Sequence, residues 1–193
     1  MEQAIEAGDP RAAAAEASDA ELQRLLAELA GGRRAALGDL YDRLQRELYA
    51  VALWRTGTRE LAEEAVQEVF ARLAASRADL GRVRAPRTYV LAIAHRAALD
   101  VARRERRRRE VPLDEALLEP VESSAEAWAD ARRLSALLHR LPAPQRSAVA
   151  LRHLLGLSFA EIGRVTGTSL FTAASRCRLG IARLRRALKV RPS

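Results

Sequence analysis

The sequence predicts an all-α protein of two small helical domains, a four-helix bundle and a helix-turn-helix unit, joined by an acidic linker. Three observations carry that prediction. Ala, Leu and Arg dominate, all good helix formers, and aromatic residues make up only 4% of the 193 residues. Apolar residues recur at three- and four-residue spacing in several segments, with no sustained alternation of the kind a sheet needs. One acidic, proline-containing stretch separates two such helical blocks. A hydrophobic share of 49% against 30% charged residues argues for packed cores rather than wholesale disorder.

Residues 1–18, rich in alanine and acids, read as a mobile tail. Helical patterning starts near Asp19, which fits an N-cap for "AELQRLLAELA", and the Gly31-Gly32 pair breaks it. A second helix fits Ala35 to Arg55 and ends at Gly57. A third, about Thr58 to Ser76, carries Ala62, Ala65, Val66, Val69, Phe70 and Leu73 on one stripe. That spacing leaves Glu60, Glu63, Glu64, Gln67 and Glu68 facing outward. After Gly81, Pro86 suits the first turn of a fourth helix, where a missing N–H costs nothing. Val90, Ile93, Ala94, Ala97 and Val101 form its buried stripe, which runs into six arginines between Arg103 and Arg109. A four-helix domain therefore spans 19–110.

Residues 111–124, "VPLDEALLEPVESS", hold two prolines, four acids and no basic residue, and read as a linker. Helical patterning resumes in "AEAWADARRLSALLHRL", whose face carries Leu134, Leu137, Leu138 and Leu141, with Trp128 as a further core candidate. Pro142 and Pro144 break it and restart "QRSAVALRHLLGLS". Two short helices complete a second domain at 125–190.

The charge balance, 33 basic against 25 acidic residues, is +8, which points to an anionic partner or a well-solvated basic surface. Its distribution is uneven: residues 1–30 carry seven acids and two arginines, whereas residues 163–193 carry eight basic residues and no acid. A single cysteine, Cys177, excludes an internal disulfide and fits a reducing compartment. No apolar stretch approaches the roughly 18–20 residues needed to span a bilayer. The expectation is a cytoplasmic protein without membrane insertion.

Ser158-Phe159-Ala160-Glu161 is a capping-box sequence. Its helix should stop near Gly167, a residue suited to a positive φ, and Ser169 then caps the next helix. Gly163 would let the second helix approach the first, with Ala173 as its buried anchor: the pattern of a helix-turn-helix. Leu170, Ala174, Cys177, Ile181, Leu184 and Leu188 form a seam on that second helix. Thr172, Ser175, Arg176 and Arg178 lie off it, and hydroxyls followed by guanidinium groups suit phosphates and base edges in a major groove. Spacing alone leaves an ordinary hairpin with a basic, solvated side equally open. The run "ARRERRRRE" has the same two readings: a helix end favoured by the dipole, or a polyanion contact. Six arginines beside a helix bearing Tyr89, His95 and Arg96 favour the second, because tracking and stacking on unpaired strands needs that combination.

Together these pieces resemble the extracytoplasmic-function sigma factors, the small sigma-70-family subunits of bacterial RNA polymerase that keep regions 2 and 4. "AEEAVQEVFARL" (62–73) is similar to the family's AEDxxQExF motif, and "TYVLAIAHRAALDVARRERRR" (88–108) to its WLxxIAxNxxxDxxRR stretch. "LHRLPAPQRSAVALRHLLGLSFAEIGRVTGTS" (138–169) is similar to its LPxxxRxxxxLxxxxGxSxxEIAxxxGxS region 4. The resemblance implies a non-enzymatic protein that binds core RNA polymerase, through a coiled coil and the flap, and directs it to promoter DNA. It implies that Glu64, Gln67 and Glu68 dock on polymerase. Tyr89, Arg96, Arg103 and Arg104 would contact the −10 element and help open it. Ser169, Thr172, Ser175, Arg176 and Arg178 would meet the −35 element. The linker would thread the polymerase interior, and an anti-sigma factor would be a further partner.

The chain also departs from the family pattern. Tyr89 stands where tryptophan is frequent, Arg96 where asparagine is usual, and Glu64 in place of the AED aspartate. In the recognition helix, "FTAASR" replaces the common GTVKSR, so Phe171 stands for glycine and Ala174 for lysine.

No metal, cofactor or catalytic residue is expected. His95, His139 and His153 are scattered, and no phosphate loop, nucleophile elbow or inward carboxylate pair appears. Cys177 reads as a small buried hydrophobe. The alternative to a sigma factor is a stand-alone helix-turn-helix DNA-binding regulator that uses 19–110 for dimerisation or sensing. A third reading is an interaction protein whose arginines only solubilise it.

Overall fold

A computed structural model describes residues 10–76, 80–108 and 137–189, and these are helical with short connections and no strand among them. The elements are α1 (Pro10–Ala30), α2 (Ala35–Thr56), α3 (Arg59–Ala75), α4 (Pro86–Arg108), α5 (Ala143–His153), α6 (Phe159–Thr166) and α7 (Leu170–Lys189). The linker at 111–124, Trp128 and Leu134 lie outside the described residues.

Helices α1 to α4 pack around leucines and alanines, among them Leu26, Leu40, Leu48, Leu73 and Leu91, all fully buried. Helix α4 is central and touches α1, α2 and α3. The expected stripe on α3 is inward at Ala62, Ala65, Val66, Val69 and Leu73, while Phe70 sits at its edge against Tyr41. Thr58 caps α3 by accepting from the Leu61 N–H, and Gly57 ends α2 at φ 87°, in the left-handed region that glycine enters at least cost.

One expectation is corrected: the first helix starts at Pro10 and not near Asp19, because "PRAAAAEA" combines proline at the first helical position with a run of the strongest helix former. Residues 1–9 of the expected tail lie outside the described residues. Asp19 is therefore inside α1 and is not its N-cap. It lies beside the first turn of α4, where burial above all, with Glu161 and Glu47 adding to it, raises its pKa above the ordinary value against the opposing pull of Arg87.

Helices α5 to α7 form the second unit, with Leu138, Leu141, Leu151, Leu157 and Ile162 at its centre. The capping box is formed: the Glu161 N–H donates to Ser158 Oγ at 3.3 Å, and the Ser158 N–H to Glu161 Oε2 at 2.7 Å. Gly167 ends α6 at φ 67°. A Cβ on Gly163 would sit 2.7 Å from the Thr168 carbonyl oxygen, so the turn closes only over glycine. Ala173 and Cys177 are buried as anchors.

The seam on α7 is corrected at both ends. Leu170 and Leu188 are exposed because the inward face follows Ala173, Cys177, Gly180 and Leu184, a 4-3-4 pattern that passes to one side of them. Gly180 is part of that face because a Cβ there would lie 2.6 Å from Val149 Cγ2.

The two units pack on each other, α4 against α6 and α2 against α5. Arg87 Nη2 donates to the Leu155 carbonyl at 3.0 Å while its Nε holds Glu47 at 2.9 Å. Arg146 Nη1 reaches the Trp54 carbonyl at 3.3 Å and the His139 ring. His139 in turn lies against Gly57, where an added Cβ would sit 3.3 Å from its Cε1.

Candidate polymerase and nucleic-acid interfaces

Glu64 and Gln67 are exposed on the outer face of α3, and Glu68 is half-buried beside them. These acids meet a residue expected on the other interface. Arg104 Nη2, from the last turns of α4, lies 2.9 Å from Glu64 Oε1 and 2.9 Å from Glu68 Oε2. Glu68 also pairs with Arg72, which reaches Asp100 at 3.0 Å. The hydrogen bond to Glu68 comes first in holding the Arg104 pKa above its ordinary value. A network thus crosses from α3 to α4 and orients the acidic face from behind.

Gln67 also lines an open groove of about 1130 Å³ between α2 and α3, with Leu37, Tyr41, Tyr49, Val66 and Phe70. Tyr41 is exposed, and its ring stands 5.2 Å from that of Phe70. The acidic face thus adjoins an aromatic groove. The helical period of α3 places Phe70 on the buried stripe and so does not disclose the groove, which forms where Phe70 meets Tyr41 of α2.

On α4, Tyr89 is half-buried against the core, whereas Arg96 and Arg103 are exposed. Burial, then Arg55, Arg96 and Arg176, push His95 down to about 4, so it is neutral at pH 7 within a cationic neighbourhood. Arg176 of α7 and Arg96 of α4 both bear on this one side chain, so a residue expected at the −35 element and one expected at the −10 element lie near each other. Burial and the flanking Arg103 and Arg106 lower the Arg55 pKa as well, another mark of concentrated positive charge.

Ser169 is exposed and caps α7: its Oγ accepts from the Thr172 N–H at 3.1 Å and lies 2.9 Å from Thr172 Oγ1. Ser175 and Arg176 are half-buried, and Arg178 is exposed. Phe171, absent from the expected set, is the most exposed large apolar side chain described, at 81%. Cys177 is buried with its Sγ 3.8 Å from His153 Nε2, and burial raises its pKa, which fits a packing role. Among the described residues no group of His, Cys, Asp and Glu could hold a metal ion, and no helix is long and apolar enough to cross a membrane.

A helical bundle with an acidic helix face and an arginine-rich helix end behind it, followed by a capped helix-turn-helix, is the form taken here by a sigma-70-type factor, as two family matches show. Residues 40–108 match Sigma-70 region 2, and residues 131–189 match Sigma-70, region 4. The chain belongs to the extracytoplasmic-function (ECF) RNA polymerase sigma factors: it binds core RNA polymerase and directs initiation at promoters carrying −35 and −10 elements. It is 35% identical over 173 residues to ECF RNA polymerase sigma factor SigM of Mycobacterium tuberculosis (strain ATCC 25618 / H37Rv), covering 90% of this chain and 86% of that protein. It is 28% identical over 177 residues to SigK of the same strain, covering 88% of this chain and 95% of the relative. Two solved structures share the fold. One is CnrH in complex with the cytosolic domain of CnrY, with a TM-score of 0.65 and 21% identity over 91% of this chain and 99% of that one. The other is the sigma factor RpoE with the anti-sigma factor NepR from Bartonella quintana, with a TM-score of 0.66 and 21% identity over 80% and 99%.

Proposed function

We propose that the two helical units divide the work of initiation. Residues 19–110 would hold core polymerase and the −10 element, residues 125–190 the −35 element, and residues 111–124 would connect them. The observation that carries this reading is the juxtaposition on one bundle of an acidic α3 face with the exposed arginines of α4. The first suits a protein partner and the second a nucleic acid. Glu64, Gln67 and Glu68 are the polymerase contacts, and the groove lined by Tyr41 and Phe70 extends that surface. Tyr89 stacks on an unpaired base of the −10 strand while Arg96, Arg103 and Arg104 hold its phosphates, which returns part of the free energy lost on unstacking. The α7 helix enters the major groove with Ser169, Thr172, Ser175, Arg176 and Arg178 toward the −35 element.

The role is one of binding, without a catalytic residue, and its place is the cytoplasm, where polymerase and promoters are. A similar fold in proteins solved with CnrY and with the anti-sigma factor NepR supports an anti-sigma partner here too.

The test is transcription by purified core polymerase with and without the full chain. Expected are transcripts from a subset of promoters and protection spanning both elements. Duplex DNA binding without association with core would favour the regulator reading instead.

A further inference from the structure

We infer that Phe171 reads sequence: its ring packs on the C5 methyl group of a thymine in the major groove of the −35 element. The inference rests on the proposal that the first turns of α7 enter that groove.

Three observations lead there. Phe171 is 81% exposed, whereas Phe70 packs on Tyr41 and Phe159 lies under the Arg152 guanidinium, 5.0 Å from its ring centroid. Its position is fixed rather than incidental. The Ser169 cap sets the first turn, and Ala173 and Cys177 anchor the opposite side of the helix at 1% and 4% exposure. At about 100° per residue, Phe171, Ser175 and Arg178 then share the outward stripe. Finally, that surface is basic. Arg178, Arg185 and Arg186 are exposed on α7, and residues 162–193 contain no acid.

A basic surface selects a polyanion, but phosphates offer nothing to a phenyl ring. On the major-groove edge of the bases, the complementary feature is the thymine methyl, an apolar group that aromatic and aliphatic side chains contact directly. The replacement of the family's common glycine by Phe171 would then add a base contact at the tip of the helix.

The experiment uses the full chain assembled with core polymerase on a promoter selected by that holoenzyme from a pool with a randomised −35 element. Thymines are replaced one at a time, on either strand, by 2′-deoxyuridine, which removes only the methyl group. At one thymine the wild type should lose about fourfold in occupancy, the value of one buried methyl-sized group. F171A should bind the thymine promoter weaker by a similar factor and no longer distinguish the two bases there. F171L should keep part of the discrimination. The exposed position makes an unchanged thermal midpoint for F171A the expected folding control.

The inference is overturned by a wild type indifferent to every substitution, by a selected element without thymine, or by an F171A that still discriminates. It is also overturned if F171A instead weakens association with core, which would make Phe171 a protein contact. Arg178→Ala separates the two levels. Unchanged protection of the −35 element and an unchanged salt dependence in that variant would remove the α7 reading altogether. A weakened, less salt-dependent R178A beside a uracil-indifferent wild type would remove only the role of Phe171.

Discussion

Thr88 Oγ1, in the first turn of α4, donates a 3.3 Å hydrogen bond to Glu161 Oε1, and the other oxygen of that carboxylate closes the capping box of α6. One side chain thus caps the start of a helix of the second unit and ties it to the central helix of the first. Thr88 is buried, so the hydroxyl has little access to water as an alternative partner.

Thr88→Val keeps the shape and removes the donor. Glu161 retains Ser158, so the expected loss is about 1 kcal/mol, the net value of one hydrogen bond. Urea unfolding should show a lower midpoint. A fluorescent pair on α3 and α7 should report a longer mean distance, since Arg87 and Arg146 then hold the two units with less help. An unchanged midpoint and distance would show that the bond adds nothing to their packing.

The two close-approach glycines should rank differently. In Gly163→Ala the new Cβ meets a backbone carbonyl at 2.7 Å, and the turn must move. In Gly180→Ala it meets the Val149 methyl at 2.6 Å, which a rotamer change can relieve in part. Both should destabilise, by about 1–3 kcal/mol as overpacking does, with G163A the worse. Thermal unfolding of the two variants checks the order, and equal midpoints would contradict it.

These glycines also mark what the sequence could disclose. Gly163 was legible because it stands between a capping box and a second cap, a local pattern with a fixed geometry. Gly180 was not, because its reason is Val149, thirty-one residues away on α5. Likewise the buried stripes of α3 and α4 followed from helical period alone. The Arg104 pairing with Glu64 and Glu68 depends on how two helices meet, and periodicity within each helix does not encode it. Asp19 failed as a cap because the alanine run before it propagates helix through it.

The two neutral histidines give a pH dependence. Burial, and after it neighbouring arginines, lower both His95 and His139 from 6.5 to about 4. Between those values the unfolded chain binds more protons than the folded one. Stability is therefore held above pH 6.5 and falls as pH drops toward 4. The thermal midpoint should already decline between pH 6.5 and 5, before ordinary carboxylates titrate. In a His95→Gln/His139→Gln double variant that early slope should flatten. A slope identical to wild type would assign it to other groups.

Gln67 offers a clean test of the polymerase surface, because it is exposed on α3 and uncharged, so replacing it removes no member of the ion pairs there. Gln67→Arg introduces a cation beside Glu64 and at the groove rim without dismantling the α3–α4 network. Affinity for core should fall about tenfold or more, because a cation set into the acidic face opposes the charge complementarity that face would offer, while the thermal midpoint stays put. Unaltered core binding would count against docking on this face.

Arg103 and Arg104 are neighbours in sequence with different partners, and salt dependence should separate them. Arg104 is engaged by Glu64 and Glu68, so its charge is partly spent within the protein, whereas Arg103 is exposed on α4. A side chain that neutralises one phosphate of a single strand contributes about 0.7 to the slope of log affinity against log salt. Arg103→Ala should reduce that slope by roughly this amount in holoenzyme binding to a −10 single strand. Arg104→Ala should reduce it less, and should also weaken core binding by releasing two acids from their fixed orientation. If R104A matches R103A in slope and leaves core binding intact, the ion pairs give way fully when DNA binds, and Arg104 is a phosphate contact with no part in orienting the acidic face.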